Sequence, residues 1–599
     1  MTEKKLKKRS EINSEYQWNI ESMYDSDDKW ENDLNESVRL SGELGRFRGH
    51  LADSASSLAD ALEENDRMNQ ILERVFVYAR MKLDEDNRVA KQQEMFGRVV
   101  HAISEIAAAT SFLTPELTMI PEETVRAFLE EEPRLAVYRH VLEDAMRQKA
   151  HVLSDKEEAL LAQFSEALET PNNVFTMLND ADMKFGTVRD ENGEDIELTH
   201  GNYIKFMRSH DRRVRKDAYE ACYHSYQKLI NTIAANYSGS VKSDCISARV
   251  RHYSSARNAA LDSGNIPESV YDSLVHAVNR HLPALYDYVS CRKKILGYDE
   301  LKMYDIYVPM IELPERTVEF DEAVEIAKKA LAPLGEDYLR DFQHGIDSRW
   351  IDIYENEGKT SGAYSFGSYD SAPFVLMNYS RDLQDVFTLV HEMGHSMNSY
   401  YTRREQPFTY GDHSIFTAEV ASTVNETLLM KYLLKTETDP EMRKYLLNMY
   451  LEEFRTTLFR QTMFAEFEDQ VHRTVEEGGS LTAESMSELY DSLNTKYFGP
   501  ALTHDDLIQY EWARIPHFYR DFYVYQYATG YSAANAIAGK ILTEGAPARD
   551  AYLKFLASGS SDYPVELLKI AGVDMSSEEP VELALTTFDG LVREFTGLL

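Results

Sequence analysis

The sequence predicts a mainly α-helical protein, and three observations carry that reading. Glycine (27) and proline (17) make up only 44 of 599 residues, about 7% against a usual ~12%, too few turn-formers for an all-β fold. Hydrophobic residues reach 43%, a globular share that a disordered chain does not have. Apolar positions then recur at helical spacing along most of the chain. At about 150 residues per domain the length allows four domains, and one large helical domain with lobes is an equally fair reading.

Residues 1–26 read as an extended amino-terminal arm, with Trp18, Ile20, Met23 and Tyr24 as anchors. Lys4, Lys5, Lys7, Lys8 and Arg9 open it, but acids follow rather than an apolar stretch, so this is not a secretory signal. Residues 27–182 form a helical lobe. Val75, Tyr78, Ala79 and Leu83 mark one amphipathic face, and Pro115, Pro121 and Pro133 are placed to start helices. The remainder, 183–599, bears the chemistry. It begins with two short β-like runs, Met183–Val188 and Ile196–Leu198, around Asn192-Gly193, a hairpin signal. A helix over Arg208–Tyr226 carries the densest basic cluster, Arg208, Arg212, Arg213, Arg215 and Lys216. Pairing with local acids on a solvated face explains that cluster better than phosphate binding does. Residues 302–312 and 362–379 are the other non-helical stretches. The second is either a small structural sheet or a sheet edge able to pair with an extended peptide.

Composition narrows the function classes. The net charge of −37 repels nucleic-acid phosphates and anionic membranes. Cys222, Cys245 and Cys291 lack metal spacing, and so few cysteines suit a reducing compartment. No run of 18 apolar residues occurs. The expectation is a soluble cytoplasmic protein with no nucleic-acid or membrane partner and an oligomeric state left open.

The chemistry is concentrated in DLQDVFTLVHEMGHSMNSYY (382–401), which contains His391-Glu392-Met393-Gly394-His395. It reads as a helix with Asp382 as N-cap and Leu383, Val386, Phe387 and Val390 on its apolar side. Residues four apart share a helix face, so both imidazoles can reach one ion at about 2.0–2.1 Å. Glu392 is turned by about 100°, beside the ion without being a ligand. Two unpaired buried imidazoles and a carboxylate would be costly without a metal. Gly394 costs about 1 kcal/mol in a helix interior relative to alanine, which calls for a close approach at that point.

A catalytic zinc needs a third protein ligand and an open position. A second helix, SIFTAEVASTVNETLLMKYLL (414–434), places Glu419, Ser422, Thr423 and Glu426 on one face. Glu419 is favoured as the ligand, with Asp412, His413 and Glu426 as rivals.

The pattern HEMGH followed by FTAEVASTVNE resembles the M3 metallopeptidases, and within them the oligoendopeptidase F branch. So do YQWNIESMYDSDDKW (16–30), SFGSYDSAPFVLMNY (365–379), RIPHFYRDFYVYQYATGYSAA (514–534) and GSSDYPVELLKIAGVDM (559–575). The resemblance implies an elongated two-lobed helical body with a deep channel and a few short strands near the zinc. It implies one Zn²⁺ per chain on His391, His395 and Glu419, with Glu392 as general base and Glu426 orienting a ligand histidine. It also implies that a His and two Tyr in the carboxy-terminal segment stabilise the oxyanion. His517 is the histidine, Tyr527 the first choice of tyrosine and Tyr523 the second. Aromatic packing is the competing explanation for the tyrosines of 514–531.

The expected activity is therefore hydrolysis of internal bonds in oligopeptides, by a water that zinc and Glu392 activate. Two alternatives stand beside it. One is a dipeptide-releasing exopeptidase of the same fold, which needs a residue to fix a terminal carboxylate; no arginine announces itself in the sequence. The other is a catalytically dead peptide-binding protein, against which the intact HExxH and Glu419 argue.

Overall fold

The computed structural model describes residues 6–312 and 316–599. Lys4 and Lys5 lie outside them. Helix accounts for 72% of the protein and strand for 3%, so the mainly α expectation holds. No helix among the described residues is long and apolar enough to cross a membrane. The chain forms two compact units, each assembled from three separate stretches. The first comprises Met1–Val152, Arg316–Tyr432 and Ile537–Val573; the second comprises Leu153–Glu315, Leu433–Ala536 and Asp574–Leu599. These units do not follow the sequence divisions at 26 and 182, because later parts of the chain return to complete each core.

In the first unit the arm is not extended, as the sequence suggested, but coiled into 3₁₀ turns at Arg9–Glu11, Ser14–Tyr16 and Ile20–Ser22. The turns gather Trp18, Ile20, Met23 and Tyr24 into one core with Trp30, Leu34, Val75, Phe374 and Leu376. Each such burial contributes about 1.5–3 kcal/mol. Arg9 adds a polar pin, donating to Glu85 at 2.8 Å and to Asp352 at 2.7 Å, and Trp18 Nε1 donates to Glu85 at 2.9 Å. Ser26 caps α1 (Asp27–Leu44), whose buried positions Trp30, Leu34, Ser37, Leu40, Ser41 and Leu44 repeat every three or four residues. Helix α1 packs with α2 (Ala55–Glu85), capped by Ser54, and with α3 (Ala90–Thr110). Val75, Tyr78 and Ala79 are buried as expected, while Leu83 is partly exposed. Of the three prolines, Pro121 caps one helix and Pro133 opens a 3₁₀ turn, but Pro115 sits inside the helix Leu113–Met119.

In the second unit β1 (Thr187–Arg189) and β2 (Asp195–Glu197) form the expected antiparallel hairpin, with Val188 opposite Ile196. Gly193 turns it at φ 84°, a backbone that favours glycine. The helix expected from Arg208 begins only at Arg212: Arg208 caps the preceding helix His200–Met207 at its carboxy end, and Arg212, Arg213, Arg215 and Lys216 open the 39-residue helix α4 (Arg212–Val250). Arg212 and the fully buried Arg215 both bind Asp305, Arg213 pairs with Asp211 and Asp217, and Lys216 faces Glu220. These four charges are spent on intramolecular pairs, as the solvated-face reading expected.

Back in the first unit, β3 (Ile351–Asp352), β4 (Tyr364–Phe366) and β5 (Phe374–Leu376) form a three-stranded sheet in the order β3-β5-β4. β5 runs parallel to β3 and antiparallel to β4, with Ser365 opposite Val375. β4 is therefore an edge. Helix α5 (Leu383–Glu405) follows, then α6 (Ile415–Thr436). Further on come α7 (Arg460–Glu476) and α8 (Tyr525–Glu544).

Candidate active site

Asp382 starts α5 with a reciprocal capping box: Asp385 N donates to Asp382 Oδ1 at 2.9 Å, and Asp382 N donates to Asp385 Oδ2 at 3.1 Å. Leu383, Val386, Phe387, Leu389 and Val390 then bury one side of the helix. This fixes the rotation of α5 and turns the other side towards a cavity of about 420 Å³ within the first unit. His391, Glu392 and His395 line it, with Glu419 from α6 and residues 363–367 from the β4 edge.

Two contacts lock α6 against α5. A β-carbon added at Gly394 would lie 2.7 Å from Ser422 Cα and 2.8 Å from the Ala421 carbonyl oxygen, so only glycine lets the two backbones meet here. Four residues back along α5, Asn425 Nδ2 donates to the Val390 carbonyl at 3.0 Å and to Tyr338 Oη at 3.0 Å. On the opposite flank of α5, Ser365 of β4 and Ser396 are joined hydroxyl to hydroxyl at 2.8 Å.

This packing brings three donor atoms together. His391 Nε2 and His395 Nε2 are 3.2 Å apart. Glu419 Oε2 lies 3.5 Å from the first and 3.4 Å from the second. Ligands held tetrahedrally at about 2.0–2.1 Å from an ion are separated by about 3.3–3.4 Å. The tripod therefore fits a zinc-sized ion in spacing and in donor chemistry. Among the described residues this is the one group of three or more such side chains close enough to share a metal.

The surrounding charges are ordered around the tripod. Glu426 Oε2 sits 3.2 Å from His391 Nδ1, on the nitrogen that does not face the tripod. Burial works against a charged His391, but the hydrogen bond and charge of Glu426 outweigh it and raise the pKa to about 9. Burial likewise opposes a charged Glu419, yet the His395 hydrogen bond and both histidine charges bring it to about 2. Glu392, 7% exposed, is raised by burial against the pull of His391 and His395. The rivals Asp412 and His413 also line the cavity, but neither joins the tripod. Burial, with the Arg403 and His395 charges, lowers His413 to about 4 despite Asp412.

The carboxy-terminal segment lies in the second unit and separates into two sets. Tyr519 stacks on Phe175 at 4.6 Å, Tyr525 packs on Tyr271 at 5.1 Å and Tyr531 on Phe454 at 5.0 Å; these build core. His517, Tyr523 and Tyr527 are half-buried and form their own group. Tyr527 Oη is 3.2 Å from His517 Nε2. Tyr523 lies parallel to His517 at 6.0 Å and edge-on to Tyr527 at 5.4 Å. Burial and the Arg520 charge hold His517 below its ordinary value.

Several residues that line the cavity or hold its helices together were not found from sequence. Tyr338 carries no motif, and Asn425 stands within the FTAEVASTVNE pattern with no role assigned to it; its partners Val390 and Tyr338 are 35 and 87 residues away. Glu73 and Arg403 also line the cavity. Arg403 falls two helical turns beyond His395 on the same face, a spacing legible in the sequence once the helix is drawn.

A helical scaffold with an HExxH helix, a third carboxylate from the next helix and a strand edge beside them defines a metal-dependent peptidase. Comparison with known proteins agrees. The sequence model described as peptidase family M3 matches residues 205–587, and that described as oligopeptidase F matches residues 116–185. Oligopeptidase PepF of Bacillus subtilis is 46% identical over 99% of this chain and 89% of its own. Group B oligopeptidase PepB of Streptococcus agalactiae is 44% identical over 99% and 98%. The crystal structure of oligoendopeptidase-F from Enterococcus faecium superposes with a TM-score of 0.75 at 39% identity, over 97% of this chain and 99% of that one. A crystal structure from Chlamydophila abortus gives 0.93 at 36%, over 99% and 100%. The chain belongs to peptidase family M3, in its oligoendopeptidase F branch, and is a metalloendopeptidase.

Proposed function

We propose that this protein is a zinc-dependent endopeptidase that cuts internal bonds of short peptides, with His391, His395 and Glu419 holding one Zn²⁺. The observation that carries the reading is the tripod, whose donor atoms are 3.2–3.5 Å apart, with the buried Glu392 alongside in the same cavity. When bound, the ion supplies a Lewis acid for the scissile carbonyl and acidifies water.

The chain's own residues do the rest. Glu392 takes the proton of the attacking water on its carboxylate and passes it to the leaving amine nitrogen. Glu426, on His391 Nδ1, holds that ring in the orientation and tautomer in which Nε2 presents its lone pair. The β4 edge offers backbone groups to an extended peptide, which fixes the peptide's direction through the cavity. For His517, Tyr527 and Tyr523 we propose the role implied by resemblance to the family: donating hydrogen bonds to the carbonyl oxygen as negative charge develops on it.

The test is a mixture of unrelated peptides of graded length, incubated with and without a zinc chelator and followed by mass spectrometry. Internal cuts that the chelator abolishes and added zinc restores are expected. Cleavage indifferent to the chelator, or release of terminal dipeptides alone, would overturn the reading.

A further inference from the structure

Glu468, on α7 in the second unit, is fully buried and belongs to no motif. Its Oε1 accepts a hydrogen bond from Phe522 N at 2.8 Å. Its Oε2 has no hydrogen-bond partner among the described residues. Burial pushes this carboxyl well above the usual range, Phe522 N works in the other direction, and the charges of Asp521, Asp244 and Asp469 add to the rise. A buried acid with one oxygen unpaired is an expensive way to fill space, and the residue it holds is unusual too. Phe522 has φ 50°, the left-handed region that bulky residues avoid. Four residues further along the same face of α7, His472 packs its ring against that of Phe522 at 4.7 Å. One rigid helix thus grips both the amide and the ring of a strained residue.

The next residue in the chain is Tyr523, and Tyr527 follows within one turn. The bonds Tyr523 N to Arg520 O, Gln526 N to Tyr523 O and Tyr527 N to Val524 O lead from the gripped turn into the start of α8. Upstream, Arg520 N donates to the His517 carbonyl at 3.0 Å. The segment from His517 to Tyr527 is therefore short and internally bonded, and Glu468 holds its centre.

We propose that Glu468 is a positioning residue: by holding the Phe522 amide in its left-handed turn it sets the placement of His517, Tyr523 and Tyr527, and through them the turnover rate. This rests on the reading of those three side chains as donors to the developing oxyanion.

The test compares Glu468→Gln, Glu468→Asp and Glu468→Met in the full-length zinc-loaded enzyme on a quenched fluorescent oligopeptide, alongside His517→Ala and Tyr527→Phe. Gln keeps an acceptor at the same reach, and its kcat is expected within about threefold of wild type. Asp withdraws the acceptor by one methylene and Met removes it. Both are expected to lower kcat at least about tenfold, with KM and bound zinc unchanged, since misplacing one oxyanion donor costs about 10²-fold or more when complete. If the Met variant does not fold, the Asp and Gln pair decides. A kcat within twofold of wild type in the folded variants, with loss in His517→Ala, overturns the positioning role alone. An unchanged kcat in both His517→Ala and Tyr527→Phe overturns the donor reading, and the proposal falls with it. A matched loss in Gln and Asp also overturns it.

Discussion

Glu392 and Asn425 are both buried polar residues, one lining the cavity and one in the seam between α5 and α6, and they call for opposite measurements. Glu392 sits in sequence between the two histidines of the tripod, and the role proposed for it is to move a proton. Replacing it with Gln is expected to leave zinc stoichiometry intact and to lower kcat by about 10²–10⁴-fold. Metal analysis and turnover on one preparation check this, and a Gln variant with near-wild-type turnover would remove Glu392 from the mechanism. Asn425 is not part of the tripod. It ties α6 to the carbonyl beside His391, so its loss is expected in metal affinity. Asn425→Leu is expected to weaken zinc binding by about 10–100-fold, the usual effect of removing a group that orients a ligand. Tyr338→Phe should do less, because Asn425 keeps its bond to Val390. Competition against a fluorescent chelator measures both, and unchanged affinity in Asn425→Leu would refute the tie.

At the scale of elements, the crossing of α5 and α6 is decided by one missing side chain. Alanine is the better helix former by about 1 kcal/mol, yet a β-carbon at Gly394 would overlap the backbone of Ser422 and Ala421. Gly394→Ala is therefore expected to destabilise by about 1–3 kcal/mol in denaturant titration, and to weaken zinc binding as Glu419 moves away. A stabilised variant would show that the helices have slack. A second element-level case is the helix Pro440–Glu453. Burial opposes the charge of Glu452, but Arg455 and Arg292 bring its carboxyl down to about 2, with contacts of 2.7 Å to each. Its folded pKa lies below the unfolded value of about 4.3. The stabilisation is thus complete above that value and is lost as pH falls through 4 towards 2. Glu452→Gln is expected to be about 2–4 kcal/mol less stable at pH 7, with the gap to wild type narrowing below pH 4.5. A gap independent of pH would exclude the ion pair as its cause.

At the scale of the whole molecule, the charge of −37 is a field that a peptide meets before any contact. Lysine-bearing peptides are expected to show a higher kcat/KM than glutamate-bearing peptides of equal length at low salt. The ratio should shrink as added salt shortens the screening length from about 30 Å at 0.01 M to about 3 Å at 1 M. A ratio that ignores salt would place the preference in local contacts instead.

The primary structure alone indicated the helical class and the HExxH pattern, because each rests on spacing within a helix; it pointed to Glu419 through the resemblance to the M3 peptidases, since spacing by itself left Asp412, His413 and Glu426 as rivals. Periodicity assigns Asp382 as cap and His391 and His395 to one face without knowledge of the rest of the fold. It also indicated that something had to approach Gly394. Only the tertiary structure decided what approaches, that Asn425 and Tyr338 hold the approach in place, and that the arm coils into the core instead of lying extended. It alone decided which tyrosines of 514–531 are core and which group with His517, and that Glu468 grips Phe522. Each of these depends on residues tens to hundreds of positions apart. A contact of that kind is selected by the shape and polarity of a buried space, and a linear pattern records neither.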